Sequence, residues 1–307
     1  MIRTVAGRIL KTVCIALVGF LILSRAYHTF ANSVAASDYQ ARSGAEDASW
    51  IRSEFEKAGD YNRKLAEQGV QNFALAGEED GNAKEGSAGA DQSDEYETLL
   101  NVGNDGVMGV LTIPAIGVRL PIYHGVTDRT MSKGCGHLQG TSLPVGGDGT
   151  HAVLFGHRGL PDAKLFTDLD RVKEGDRFTV SVLGKKLWYR VISRKVILPD
   201  ETGDLAVRSG RDLVTLVTCT PYGINTHRLL VCGERTDGQD SPGRIAGRRN
   251  PAENLYAFFL KPPVVYGTAA CDLILSAVLL RRIWGGKPEQ SKKQMNDSGK
   301  EDAGPGQ

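Results

Sequence analysis

Residues 215–230 read TLVTCTPYGINTHRLL, a cysteine at the end of an apolar run with a His-Arg pair shortly beyond it. A cysteine in such a place is most often a small buried hydrophobe. Pro221 alters the setting: it has no backbone donor and cannot continue a ladder, so Cys219 falls at the rim of its sheet. A rim cysteine can attack as its thiolate, and that chemistry needs a cation close by to lower the thiol pKa. Arg228 meets the need if residues 213–218 and 226–231 are neighbouring strands joined by the PYGIN loop. Otherwise it is an ordinary solvent-facing arginine. Strand alternation turns His227 to the opposite face from Arg228. His157, at the end of the run HAVLFGHRG beside Gly156 and just before a turn, is the histidine best placed to reach the same rim. His151 starts that run and belongs at its far end, while His124 and His137 are expected in loops, with structural or solvated roles.

The elements that must carry these side chains are short. From Val107 onward the chain breaks into apolar runs separated by Gly, Pro and Asp: VMGVLTI, VRLPIY, HAVLFG, RFTVSVL, KLWYRVI, RKVIL, LVTLVT and HRLLVCG. In RFTVSVLGKKLWYRVI the alternating Phe178, Val180, Val182 and Leu187, Tyr189, Val191 straddle Gly184-Lys185, which predicts a tight hairpin. About eight short strands without long helices predict a mainly β fold, a closed or nearly closed barrel, which removes exposed edges. PDAKLFTDLDRV is the candidate for a short intervening helix. Ahead of the barrel, Ile51, Phe55, Ala58, Tyr61 and Leu65 form one apolar stripe at helical spacing. Between that helix and the strands, residues 77–97 hold eight acidic residues against one lysine and predict a flexible, solvated segment.

Both ends of the chain carry hydrophobic runs. CIALVGFLIL follows Arg3, Arg8 and Lys11, the order of a positive n-region and an apolar h-region, so residues 1–36 are expected to be a signal peptide, cleaved after Ala36, or an uncleaved signal anchor. VVYGTAACDLILSAVLL, interrupted only by Asp272 and followed by RRIWGGK, predicts a transmembrane helix over residues 263–283. The expected layout is then an N-terminal helical and acidic region at 37–98, the catalytic barrel at 99–236, a linker at 237–262 and a cytoplasmic tail at 284–307. The basic flanks put both ends in the cytoplasm if the first segment stays, and the centre outside the membrane. A net charge of +1 without a basic stripe in the middle region argues against nucleic acid as a partner. Of five cysteines, Cys14 and Cys271 lie in the end segments, leaving Cys135, Cys219 and Cys232 in a compartment that tolerates disulfides. No CxxC or Cys/His cluster has metal spacing, so neither a metal nor another cofactor is expected.

Together, LPIYHG, GHLQGTSLPVGG, GHRGLPDAKLFTDLD and TLVTCTPYGINTHRLLV resemble the sortase family of cysteine transpeptidases, in its class C, pilin-polymerising branch; the likeness covers roughly residues 99–235. The resemblance implies an eight-stranded barrel in which Cys219 is the nucleophile, His157 the general acid/base and Arg228 the group that steadies substrate and oxyanion. Thr218 and Thr220, flanking the cysteine, are then expected at the substrate. Family chemistry is cleavage of an LPXTG-type sorting signal between Thr and Gly through a thioacyl-enzyme, which a pilin lysine amine resolves. Partners would be LPXTG-bearing pilin or surface-protein substrates and the membrane. The same residues would serve attachment to cell-wall peptide, or hydrolysis if water took the acyl group. A non-catalytic membrane-anchored assembly module is the reading without chemistry. Class C members usually carry a lid fixed over the cysteine by an Asp-Pro-aromatic motif; residues 77–97 have no proline and no aromatic before Tyr96, which implies an open or loosely covered site. Cys135 and Cys232 are either a disulfide or two independent thiols.

Overall fold

The computed structural model describes residues 2–68, 95–160 and 163–237. The expected acidic segment up to residue 94, nearly all of the linker, the second hydrophobic run and the tail lie outside the described residues. Residues 2–20 and the chain from Leu21 belong to separate compact units, and the packing below concerns the second.

The first helix, α1 (Ile2–Ala45), runs unbroken through the boundary expected at residue 36. Its portion Thr12–Ala45 is long and apolar enough to cross a membrane, as an anchor or signal segment would, and Ile15, Leu17, Phe20 and Ile22 are exposed. The last turns have a different task. Ala36 and Tyr39 are buried against Val107 and Val110, and the Tyr39 hydroxyl donates to Met108 O at 2.7 Å while accepting from Leu183 N at 3.2 Å. Arg119 reaches back to the Gln40 side chain at 2.7 Å and to Ser33 O at 3.3 Å. The helix therefore ends as part of the folded domain, beyond any cleavage point at Ala36.

Asp47 starts α2 (Ala48–Gln68) by accepting from Ser49 N at 2.7 Å, the bond an N-cap supplies to an orphan helix donor. The apolar stripe predicted from spacing is the buried face: Ala58, Tyr61 and Leu65 join the barrel core, with Ile51 and Phe55 packed at its margin. Two buried polar residues fix the helix in register. Asn62 donates to Leu143 O at 3.0 Å and accepts from Leu143 N at 2.7 Å, and Glu54 accepts from Leu100 N at 3.2 Å.

Eight strands close a barrel in the order β1-β2-β3-β4-β7-β8-β6-β5. They are β1 (Val107–Ile113), β2 (Val118–His124), β3 (Cys135–His137), β4 (Thr150–Phe155), β5 (Arg177–Val182), β6 (Lys185–Ile197), β7 (Asp212–Thr220) and β8 (His227–Thr236). Pairing of β1 with β5 closes the ring, so no strand is left as an edge. Inward residues such as Leu111, Leu120, Leu154, Phe178, Tyr189, Leu216 and Val231 fill one continuous core.

The predicted barrel is present, with its strands partly reassigned. KLWYRVI and RKVIL are one strand, β6, carried through a register shift between Val191 and Ser193. The eighth strand is instead the three-residue β3, which carries no visible alternation. The β5-β6 hairpin turns on Leu183-Gly184, one residue earlier than expected, both at positive φ (+45° and +78°) as a two-residue loop of this hand requires. PDAKLFTDLDRV, of which 161–162 lie outside the described residues, forms turns and a 3-10 turn (Leu169–Arg171) rather than an α-helix. A six-residue helix, α3 (Asp128–Lys133), capped by Thr127, connects β2 to β3.

Candidate active site

The β4-β7 pair is parallel, and its last registered partners are Phe155 and Val217. His157 and Cys219 each lie two residues further on, so both stand at the same rim of the barrel, Cys219 still within β7 and His157 just past the end of β4. The β7-β8 pair is antiparallel and matches Cys219 with Arg228 directly. Directly opposed residues share a face of the sheet, with Cβ atoms about 5 Å apart. Cys219 is half-buried and forms no disulfide.

Arg228 is 2% exposed, which rules out the solvent-facing alternative. Its Nη1 donates to Asn225 O at 2.9 Å and to His227 O at 3.0 Å. The loop that carries those carbonyls is itself folded tightly, Ile224 N and Asn225 N both donating to Pro221 O at 3.0 Å, and the Thr220-Pro221 bond is cis. No carboxylate among the described residues pairs with the guanidinium. A buried cation held only by carbonyl oxygens costs several kcal/mol to desolvate. Such a cation can favour a negative group at the same rim, a thiolate or an oxyanion.

His157 is mostly buried, with 12% of its side chain exposed, and its Nε2 lies 3.9 Å from Asp128 Oδ1 at the first turn of α3. The backbone before it is clamped to β7: Gly156 N donates to Val217 O at 3.1 Å, and the Thr218 hydroxyl donates to Gly156 O at 2.7 Å. A Cβ on Gly156 would meet the Phe166 ring at 2.7 Å, so the approach of the His157 loop to that ring requires glycine. On the far side His157 O accepts from Phe166 N at 3.1 Å. Thr218, expected at the substrate, is buried and supports this loop from within. Thr220 lies at the rim, where its hydroxyl accepts from Arg158 at 3.2 Å.

The other barrel cysteines contrast with Cys219. Cys135, on β3, is fully buried and its thiol donates to Pro121 O at 3.5 Å; burial pushes its pKa well above the usual range. Burial also raises the pKa of the Cys232 thiol, opposed by a hydrogen bond with Thr215. The two are independent thiols on different strand pairs.

His124 and His137 end β2 and β3 rather than sitting in loops, and both are buried around Tyr96. The Tyr96 hydroxyl donates toward His137 Nδ1 at 3.0 Å and accepts from Gly125 N at 3.0 Å, while the ring stands edge-on to His124. His137 Nε2 lies 2.8 Å from Ser142 O. Burial pushes the His137 imidazole down to about 4, which keeps it neutral. His151 is buried at the opposite end of the barrel, bonded to Thr215 Oγ1 at 2.8 Å and Ala206 O at 3.0 Å. That end also holds a cleft of about 770 Å³ between α2 and the loops before β4, remote from Cys219. Sequence reasoning did not single out Asp128 or Arg158; the adjacency of Arg158 to His157 was the only available signal for either.

A cysteine beside a buried guanidinium, with an imidazole at the same rim of a closed barrel, defines the thiol-nucleophile class of site. The chain matches the family described as Sortase domain over residues 111–236. It is similar to sortase C1 of Streptococcus agalactiae, at 39% identity and TM-score 0.60, covering 66% of this chain and 98% of that one. Likeness to sortase C-1 of Actinomyces oris is 45% identity and TM-score 0.55, over 61% of this chain and 99% of the other. Among curated relatives, Sortase A of Bacillus anthracis is 27% identical over 128 residues, 42% of this chain and 59% of that protein. The chain thus spans about six-tenths of the length of that relative. It belongs to the sortase family, and the solved structures it resembles set it in class C.

Proposed function

We propose that this chain is a membrane-anchored cysteine transpeptidase that cleaves an LPXTG-type sorting signal between Thr and Gly and transfers the acyl group to a lysine amine of a pilin subunit. The observation that carries the reading is the direct register of Cys219 with a buried Arg228 that has no carboxylate partner among the described residues. In the first half-reaction the Cys219 thiolate adds to the Thr carbonyl carbon. Charge gathers on the carbonyl oxygen, where the Arg228 fork, always protonated and pre-oriented, stabilises it. Collapse breaks the C-N bond; the protonated His157 imidazole gives its proton to the departing Gly amine, and a thioester remains. In the second half-reaction an uncharged lysine amine adds to the thioester carbon, His157 accepts its proton, and the thiolate leaves. Thr220 borders the bound peptide. The layout proposed with this function keeps α1 as an anchor, the barrel over 99–236 outside the membrane, a second span at 263–283, and a site without a fixed lid.

The test incubates the full chain in detergent with LPXTG-type peptides and pilin subunits, beside Cys219→Ala. A thioester adduct on Cys219 and a lysine-linked subunit ladder, both absent in the variant, are the expected results. Cleavage that persists in Cys219→Ala, or no adduct with any LPXTG-type peptide, would overturn the assignment.

A further inference from the structure

We propose that Arg158 is a positioning residue for this reaction, a two-armed tether that fixes the distance between the His157 imidazole and the Cys219 sulfur. The inference rests on the roles proposed above for those two residues. Arg158 follows His157 directly and has a side chain only 10% exposed. One arm, Nη1, donates to Thr220 Oγ1 at 3.2 Å, on the residue directly after Cys219. The other, Nη2, donates to Asp170 Oδ2 at 2.7 Å. Asp170 lies in the 3-10 turn Leu169–Arg171, which is held in turn because Arg194 Nη2 donates to Asp170 O at 2.7 Å.

The guanidinium thus joins three separate pieces of chain: the loop that presents the histidine, the strand end that presents the cysteine, and a turn tied to β6. A planar fork with both arms engaged fixes direction as well as distance, which a lysine ammonium does not. The backbone bonds at Gly156 hold the His157 loop on its near side. Beyond His157, the Arg158 side chain links that loop to the end of β7. Asp170 balances the Arg158 charge, so its contribution is geometric rather than a second field on the thiol. Proximity effects are steep, about 10²-fold for a misplacement of about 1 Å. Loosening the tether should therefore lower turnover and weaken the coupling of thiol to imidazole more than it alters peptide binding at Thr220.

The experiment compares full-length wild type, Arg158→Ala, Arg158→Lys and Asp170→Ala in detergent, with folding checked by circular dichroism. Two readouts are taken: kcat and KM on an LPXTG-type peptide, and the pH dependence of Cys219 alkylation by iodoacetamide, followed by peptide mapping. Arg158→Ala and Arg158→Lys are expected to lose about tenfold or more in kcat, with KM changed by less than about threefold. Both should move the alkylation midpoint of Cys219 upward; Asp170→Ala, which loosens one arm but also unmasks the Arg158 charge, should lower kcat to a smaller extent without an upward shift of the midpoint. If Arg158→Ala does not fold, Arg158→Lys and Asp170→Ala carry the test. Wild-type kcat and midpoint in a folded Arg158→Lys would overturn the proposal, as would a rise in KM alone. The alkylation arm needs no peptide: a shifted midpoint in a protein that cleaves no LPXTG-type peptide would sink the substrate assignment and leave the tether standing.

Discussion

Replacing Arg228 by methionine separates a catalytic from a structural role, because the two predict opposite changes in stability. Arg228 is 2% exposed, and its Nη1 donates to two carbonyl oxygens at 2.9 and 3.0 Å. Hydrogen bonds from a charged donor contribute about 1.5–3 kcal/mol each, so two give about 3–6 kcal/mol. Desolvating the cation costs several kcal/mol, and no carboxylate among the described residues offsets it. The terms nearly cancel. Methionine fills similar volume without the charge, and the two carbonyls it abandons lie in a rim loop that water can reach. Arg228→Met should therefore leave stability unchanged or raise it by up to about 2 kcal/mol. Activity should respond quite differently, since loss of one oxyanion donor lowers kcat by about 10²–10³-fold, or about 2.7–4 kcal/mol of transition-state stabilisation. Urea unfolding followed by near-UV circular dichroism, and peptide cleavage on the same preparation, supply both numbers. A loss of 3 kcal/mol or more in stability, with activity restored wherever the variant is folded, would refute the reasoning and make Arg228 a structural ion.

Other perturbations bear on the supports of the site. His137 titrates near 4 when folded and near its ordinary 6.5 when unfolded, so the unfolded chain binds more protons between those values. Its contribution is complete above about 6.5 and is lost as pH falls through 4, a gap worth up to about 3 kcal/mol. The urea stability of His137→Gln should accordingly fall less than that of wild type between pH 7 and pH 4. Thr218→Val removes the donor to Gly156 O and should cost about 1–3 kcal/mol in melting experiments, with kcat reduced about tenfold as the His157 loop loosens. In an alkylation time course on the native protein at pH 8, Cys219 should react well before Cys135 and Cys232, whose burial keeps them protonated; rapid labelling of Cys135 would contradict the packing of β3.

The pairing of Cys219 with Arg228 was legible because it rests on local periodicity. Pro221 ends β7, the PYGIN loop is too short to do anything but turn the chain back, and Cys219 and Arg228 meet as a consequence. The α2 stripe was equally plain, since its apolar residues follow the helical repeat. What stayed hidden depends on contacts distant in sequence. β3 has three residues, too few to show alternation, and is a strand only because β2 and β4 flank it. A register shift lets β6 pass Ser193, which looks like a strand end when read alone. Thr218 and Arg158 are ordinary polar residues until the fold sets them against Gly156 and Thr220, 62 residues away in each case. His124 and His137 read as loop residues because nothing nearby in the sequence reveals that Tyr96 lies between them.

The fastenings on either side of residues 69–94 have a practical consequence. Asn62 is locked to Leu143 before that stretch, and Tyr96 is locked to His137 and Gly125 after it. Lengthening a connection between two such fixed points is inexpensive, about 0.6 kcal/mol per doubling. The stretch can thus be exchanged like a cassette, replaced by a relative's counterpart of another length or sequence, while Asn62 and Tyr96 keep their anchors in the barrel.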